Sequence, residues 1–359
     1  MFPRAIEAIT PEWLTQALQA DGCLGGARVS AVESTPLGAG VGFMSAMSRL
    51  TLTYDGEASG APRSLIAKLS PLDPGARQID QAFKFYERET GFYRTVSKQT
   101  PMRSPRAHHI SFDAESHDFC LLLEDMAPAR MADQLVGLTP EEAAMAVRAA
   151  ARLHARWWRS PELESMDWLL WINSPAMKSL EPIYQQCWGP TVDFLGDRMP
   201  TAVRAAGDRL STRIAGLLDE VRAMPTTMVH GDFRADNMFF HDDADQIRVV
   251  DWQIVMRGGG VFDIAYMLAG SLGVEDRRRG EMDLLRLYHG ALTEGGVTDY
   301  PLRQCIQDYR LCIMLAWCWP VVAIGSLDPA NARGVAFFKA WCDRAMAAII
   351  DLDAAEFLV

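Results

Sequence analysis

One short stretch constrains this chain more than any other: Met228 to Leu268, MVHGDFRADNMFFHDDADQIRVVDWQIVMRGGGVFDIAYML. Two apolar, β-type runs flank a set of polar residues suited to phosphate chemistry. Met228-Val229 leads into His230-Gly231-Asp232, and Asn237 follows five residues after that aspartate. Met238-Phe239-Phe240 reads as a short strand, residues 241–245 as an Asp-rich turn, and Ile247 to Val250 as a second strand ending at Asp251. Such a hairpin brings Asp232, Asn237 and Asp251 to one edge. Asp232 can accept a hydroxyl proton. Asn237 and Asp251 offer the oxygen ligands that Mg²⁺ takes alongside phosphate oxygens. The plainer reading is a polar loop between strands, and it suits an isolated H-G-D better than the full pattern with its terminal aspartate.

The stretch resembles the small-molecule kinases of the aminoglycoside phosphotransferase and choline kinase superfamily, which carry H-G-D-x-x-x-x-N where protein kinases carry H-R-D. Asp251-Trp252-Gln253 and Phe262-Asp263-Ile264-Ala265-Tyr266 are most similar to the ecdysteroid kinase-like branch, with its D-F/W-Q and D-L/I-A-Y segments. The resemblance implies an α+β, two-lobed, protein-kinase-like fold. A small N-terminal antiparallel-sheet lobe (residues 1–126) would bind nucleotide. A larger, mostly helical C-terminal lobe (residues 127–359) would carry the catalytic loop and acceptor site, with ATP in the cleft.

The 359 residues suit two lobes, and 49% hydrophobic with 23% charged residues is ordinary for a soluble enzyme. A net charge of −11 argues against nucleic acid as a partner. The seven cysteines form no C-x-x-C pair and read as reduced, mostly buried thiols. The first residues show no signal-peptide pattern, and the longest apolar run, Leu311 to Gly325, contains Pro320 and reads as a buried helix rather than a membrane span. A cytoplasmic, soluble protein with no membrane partner is expected.

Along the chain, Thr10-Pro11 opens a helix. Val29 to Pro36 and Met44 to Tyr54 read as strands around the glycine-rich segment 38–43. Gly38, Gly40 and Gly42 allow backbone amides to approach phosphates, and Ser45 adds a donor. The segment is neither a Walker A loop nor a dinucleotide fingerprint, since G-K-[ST] is missing and a strand follows. Lys68 lies inside an apolar strand, Ser64 to Leu69. It needs a partner or ligand there, unless its ammonium snorkels to water at a strand edge. The following segment, Gln78 to Ser97, reads as one helix carrying Glu87 and Glu89. The kinase resemblance implies that Lys68 reaches the α- and β-phosphates and pairs with one of these. Glu89 is favoured, because Glu89-Thr90-Gly91-Phe92-Tyr93 is similar to the family's E-x-x-F-Y.

Strands at Ile110–Asp113 and Phe119–Leu123 lead to Glu124-Asp125-Met126. By position this resembles the family hinge, where adenine bonds backbone groups near Glu124 and Met126. Thr139-Pro140-Glu141-Glu142 is a capping box opening a long helix, whose end resembles the family's L-H-A-x-x-W. His154 within it reads as structural. Helices follow at Arg204–Met224, Arg277–Leu292, Leu302–Ile324 and Asn331–Leu352. The Trp-rich segment 160–200 resembles nothing sharply, although in relatives this zone shapes the acceptor pocket.

The resemblance implies an ATP- and Mg²⁺-dependent kinase of a small hydroxylated molecule. Asp232 orients or deprotonates the acceptor hydroxyl, and Asn237 and Asp251 bind Mg²⁺. Arg234 stands where protein kinases usually carry Lys and steadies the transferring phosphoryl group. His230 is a structural group of the loop, and Asp263 holds the loop through backbone hydrogen bonds. The Trp content and the D-W-Q triplet lean towards an apolar or amphipathic acceptor. The alternatives are a cationic aminoglycoside acceptor, or a nucleotide-binding pseudokinase that regulates a partner.

Overall fold

A computed structural model describes the chain except residues 1, 38–44, 242–246, 326, 328, 329 and 359. It divides into two compact units: residues 1–99 with 104–128, and residues 100–103 with 129–359.

In the first unit, helix α1 (Pro11–Ala20) starts where Thr10 accepts the Trp13 amide and Pro11 takes the first helical position. Strands β1 (Arg28–Leu37), β2 (Ala46–Asp55) and β3 (Ser64–Leu69) follow. Next come helices α2 (Pro74–Phe83) and α3 (Phe85–Thr95), then strands β4 (Ala107–Asp113) and β5 (Asp118–Glu124). The five strands form one sheet in the order β1-β2-β3-β5-β4, every pair antiparallel. Leu14 and Leu18 of α1 pack with Leu50, Leu65, Leu69 and Leu122 of the sheet in a dry core. Asp21, just past α1, accepts from Arg106 and bonds His108 of β4, both at 2.8 Å, tying the helix to the sheet edge.

The single helix expected over Gln78–Ser97 is two. Lys84 adopts a left-handed backbone, φ 56°, which ends α2. The Asp80 carboxylate then accepts the Tyr86 amide at 2.8 Å and satisfies a donor of the new helix. This restart buries Glu89.

The second unit begins with β6 (Arg130–Met131) and α4 (Pro140–Arg156), the latter opened by the complete Thr139–Glu142 capping box. Helices α5 (Pro175–Lys178), α6 (Leu180–Leu195), α7 (Thr201–Leu210) and α8 (Ile214–Ala223) lead to strands β7 (Thr226–Val229), β8 (Met238–Phe240), β9 (Arg248–Val249) and β10 (Met256–Gly259). Helices α9 (Val261–Ser271), α10 (Val274–Glu294), α11 (Leu302–Ile324) and α12 (Ala332–Asp351) close the unit. The one helix expected over Arg204–Met224 breaks at Ser211–Arg213. There the Ser211 hydroxyl bonds back to the Asp208 carbonyl at 2.6 Å, offering the backbone an alternative to helix continuation. Strand β9 is shorter than the expected Ile247–Val250, and the expected turn falls mostly outside the described residues.

Helix α9 is buried along its whole length and packs on α11, which is mostly buried itself. Most of the apolar run, from Leu311 to Cys318 with Pro320, Val321 and Ile324, is therefore interior to the fold. Among the described residues no helix is long and apolar enough to cross a membrane. All seven cysteines are free thiols, five of them buried.

Two of the three tryptophans of segment 160–200 are engaged in packing. Trp171 lies under the guanidinium groups of Arg222 and Arg257, at 3.5 and 4.4 Å. Trp188 stacks on Tyr184 and donates its indole hydrogen to Asp208 at 2.7 Å.

Candidate active site

Strands β7 and β10 pair antiparallel, Val229 opposite Met256, and β8 pairs with β9, Met238 opposite Val249. These two pairings fix both ends of the loop 230–237. The Val250 amide donates to the Asn237 carbonyl at 3.0 Å, and the His230 Nε2 donates to the Val250 carbonyl at 2.9 Å. The loop is thus bonded on both sides to the residue that precedes Asp251.

Gly231 makes the tight turn at φ +86°. A Cβ there would lie 2.4 Å from the Ile254 carbonyl oxygen, so the position needs glycine both for its backbone and for space. The His230 ring is buried against Trp252, ring centroids 4.7 Å apart, and the Asp232 amide donates to its Nδ1 at 3.2 Å. His230 is a spacer and hydrogen-bonding strut within the loop.

Asp263, on the first turn of α9, holds the loop from below. Its carboxylate accepts the His230 amide at 2.7 Å and the Gly231 amide at 2.9 Å. His154 of α4 bonds the same carboxylate at 3.1 Å and the Tyr288 hydroxyl at 2.9 Å, and is fully buried. His154 is a structural bridge between α4, α9 and α10.

Asp232 is 7% exposed, and both its oxygens accept hydrogen bonds. Arg234 Nε reaches Oδ1 at 3.1 Å and Oδ2 at 3.2 Å, the Tyr266 hydroxyl donates to Oδ1 at 2.8 Å, and the Asn237 amide nitrogen donates to Oδ2 at 2.9 Å. Burial alone would raise this carboxyl's pKa. The Arg234 charge, the Tyr266 hydroxyl, His230 and Asn237 together outweigh burial and hold it below the usual carboxylate range. Burial pushes the Tyr266 phenol well above its ordinary value, and the Asp232 charge pushes it further, so it remains a donor.

Arg234 is held between two carboxylates, with Asp236 accepting its Nη1 at 2.8 Å. Burial disfavours its charge, but Asp232, Tyr266 and Asp236 raise its pKa above the ordinary arginine value. Asp236 also accepts the Gln134 amide at 2.7 Å, which gives this unassigned residue of the motif a bracing role. Gln134 Oε1 in turn accepts the Ala235 amide at 3.0 Å and the Ser271 hydroxyl at 2.8 Å. Gln134, Tyr266 and Ser271 were not identifiable as site residues by local pattern, except that Tyr266 lies three residues after Asp263, on the same helix face.

The Asn237 amide nitrogen also bonds the Asp232 carbonyl at 2.8 Å, so the carboxamide oxygen is the atom this residue has for a metal. Asp251 sits in the left-handed region at φ 63°, a conformation uncommon for a non-glycine residue and concentrated at functional sites. Its Oδ2 accepts from Gln253 at 3.3 Å. An amide oxygen and a carboxylate are hard donors that fit Mg²⁺.

In the first unit, Lys68 Nζ lies 2.7 Å from Glu89 Oε2 and 2.9 Å from Oε1, with both side chains buried. Glu87 instead pairs with Lys84 at 3.0 Å. Glu124 ends β5, and its carboxylate accepts the Arg106 amide at 3.0 Å. Met126 is buried two residues later. Between them, Asp125 accepts from Arg49 at 2.7 Å and Ser64 at 2.8 Å, fixing the segment to β2 and β3. Ser45 is half-buried just before β2, whereas Gly38, Gly40 and Gly42 lie outside the described residues.

The model of the ecdysteroid kinase-like family matches residues 39–297, well over half of the chain. The chain belongs to the ecdysteroid kinase-like family. Similar solved structures include a choline kinase from Cryptosporidium parvum (TM-score 0.56, 10% identity, covering 94% of this chain and 96% of that one). A type I macrolide 2'-phosphotransferase is also similar (TM-score 0.52, 16% identity, 93% and 97%), as is an ethanolamine kinase of Plasmodium vivax (TM-score 0.51, 13% identity, 89% and 82%). At these identities the likeness is one of fold: the family member shares the kinase-like fold of these structures.

Among curated proteins, 187 residues are 26% identical to an uncharacterized kinase-like protein of Caenorhabditis elegans, covering 50% of this chain and 48% of that protein. A 46-residue stretch is 46% identical to acyl-CoA dehydrogenase family member 10 of Mus musculus, covering 12% of this chain and 4% of that protein. The chain spans at most about half the length of these curated relatives.

Proposed function

We propose that this family member is an ATP- and Mg²⁺-dependent kinase that transfers the γ-phosphoryl group to a hydroxyl of an apolar or amphipathic small molecule. The observation that carries the proposal is the buried Asp232 carboxylate with its three donors, on a loop bonded to the residue preceding Asp251.

Lys68, held straight by Glu89, presents its ammonium to the α- and β-phosphates. Ser45 donates to the phosphate chain, and the backbone near Glu124 and Met126 takes the adenine; the glycines expected to assist, Gly38, Gly40 and Gly42, lie outside the described residues. Asn237 and Asp251 are the metal ligands; Mg²⁺, when bound there, neutralises charge on the phosphate oxygens. Asp232 accepts the hydrogen bond of the acceptor hydroxyl and aims its oxygen at the γ-phosphorus. As the new O–P bond forms and the bond to the β-phosphate oxygen breaks, the hydroxyl proton passes to Asp232 and then to water. Arg234 steadies the developing charge. Catalysis here is mainly positioning and electrostatics. With free thiols throughout, a reducing compartment such as the cytoplasm suits the protein.

What surrounds Asp232 supports an apolar or amphipathic acceptor. Tyr266 touches Trp319 and Trp341, and the Arg234 guanidinium stands over the rings of Phe337 and Trp341 at 5.7 and 5.9 Å. A small apolar cavity beside this cluster is lined by Phe262, Leu315 and Trp319 among others. The protein's own cation already stands at these rings, and Asp232 and Asp236 are both engaged with it. With Asp232 and Asp236 already paired to Arg234, the cluster offers less to a polycationic aminoglycoside than to an acceptor that stacks on its rings. The test is thermal unfolding with and without Mg²⁺-ATP, with ADP release across sterols, hydroxyacyl compounds, amino alcohols and aminoglycosides. A nucleotide shift with turnover of the apolar alcohols supports the proposal. No shift at millimolar ATP, or turnover confined to the cationic acceptors, overturns it.

A further inference from the structure

We infer that Tyr266 is a positioning residue for the proposed reaction: its hydroxyl fixes the orientation of the Asp232 carboxylate relative to the body of the second unit. The inference rests on the kinase reading of the same loop, and it concerns a residue to which that reading gives no task.

Among the described residues, the donors to the Asp232 carboxylate are Arg234, Asn237 and Tyr266. Arg234 and Asn237 lie on the same loop as Asp232 and move with it. Only Tyr266 comes from outside, from α9. Asp263 lies three residues earlier on that helix, so the two side chains rise from one face. Asp263 grips the loop by its backbone at His230 and Gly231, and Tyr266 grips it by the side chain that does the chemistry. One rigid, fully buried helix therefore sets both the height of the loop and the rotation of its carboxylate.

The lone-pair count makes this rotation matter. A carboxylate offers roughly four acceptor sites. Tyr266 and a share of Arg234 take Oδ1, and Asn237 and a share of Arg234 take Oδ2. Little capacity is left for an acceptor hydroxyl, so the direction of the remaining lone pair decides whether a substrate oxygen is aimed correctly. Tyr266 itself is held: it is 3% exposed, and its ring meets Trp319 at 6.4 Å and Trp341 at 5.8 Å, both edge-on. An acceptor that stacks on that aromatic cluster would thus touch the residue that aims Asp232.

Tyr266→Phe keeps the ring and its contacts and deletes the hydrogen bond alone. Mg²⁺-ATP thermal shift on wild type and variant comes first, and its absence in wild type would remove the kinase reading and this inference together. With nucleotide bound, the inference expects kcat to fall about 10- to 100-fold, the range for losing a hydrogen bond to a charged group, with KM for ATP within about twofold. A variant that melts with wild type but loses kcat at unchanged KM for ATP separates aiming of the carboxylate from packing of the ring. An unchanged kcat with nucleotide still bound, whatever happens to Tm, would overturn the inference and assign Tyr266 to packing alone.

Discussion

Lys68 and Glu89 form a buried ion pair, the ammonium 2.7 Å from one carboxylate oxygen and 2.9 Å from the other, on a strand and a helix 21 residues apart in sequence. Removing one partner leaves a buried, unpaired charge, which costs about 3–5 kcal/mol, whereas an apolar pair of similar volume is tolerated better. Lys68→Met and Glu89→Leu are therefore each expected to lower stability more than the double variant does. All three should abolish the ATP-induced thermal shift. Urea unfolding of the four proteins tests the first expectation; stabilities that simply add would contradict it.

Asp263 is expected to be the most sensitive carboxylate of the second unit. Asp263→Ala orphans two backbone amides and leaves His154 without its acid partner. Each buried unsatisfied donor costs about 1–3 kcal/mol, so a loss on the order of 3 kcal/mol in unfolding free energy is expected, accompanied by loss of turnover. A variant as stable as wild type by denaturant melting would show that the loop is held by other means.

Gly231 and Gly290 make a matched pair. At Gly231, φ is +86° and a Cβ would collide with the Ile254 carbonyl oxygen, so Gly231→Ala should destabilise the loop and abolish turnover. Gly290 lies within α10 with open space around the missing Cβ, so Gly290→Ala should leave activity alone and stabilise by about 0.5–1 kcal/mol. Thermal melts of the two variants should move in opposite directions.

The sign of the pH dependence follows from Asp232. Its folded-state pKa lies below the ordinary carboxylate value, so its contribution to stability is present above that value and is lost as pH falls through the depressed pKa. Wild type should exceed Asp232→Asn in stability at pH 6–7, and the gap should close below about pH 4. Paired melting curves across that range test this; a gap that instead widened with acid would contradict it.

Much of this was legible in the sequence because its carriers are local. The H-G-D-x-x-x-x-N spacing, Lys68 inside an apolar strand and the Thr139 capping box each act within a few residues. The break at Lys84 was hidden, because a left-handed lysine has no periodic signature, and the break at Ser211–Arg213 depends on side chains bonding back to their own helix. Gln134 and Ser271 brace the loop from 101 and 36 residues away from Ala235, so no local pattern could announce them. Tyr266 was in plain view within Phe262–Tyr266, but only the fold turns it towards Asp232. Arg234 read as a cation for phosphate, and the structure adds that Asp232 and Asp236 already hold it.

Phosphoryl transfer itself is the most direct test of the proposed reaction. Wild type and Asp232→Ala would be incubated with Mg²⁺-ATP and the best alcohol of the acceptor panel, and the product followed by ³¹P NMR and mass spectrometry. Wild type should yield a phosphomonoester of the acceptor, and the variant a rate lower by about 10²–10⁴-fold, the usual contribution of a positioned acid–base group. Nucleotide binding without any phosphorylated acceptor across the panel would contradict the proposed reaction and leave a nucleotide-binding regulator in its place.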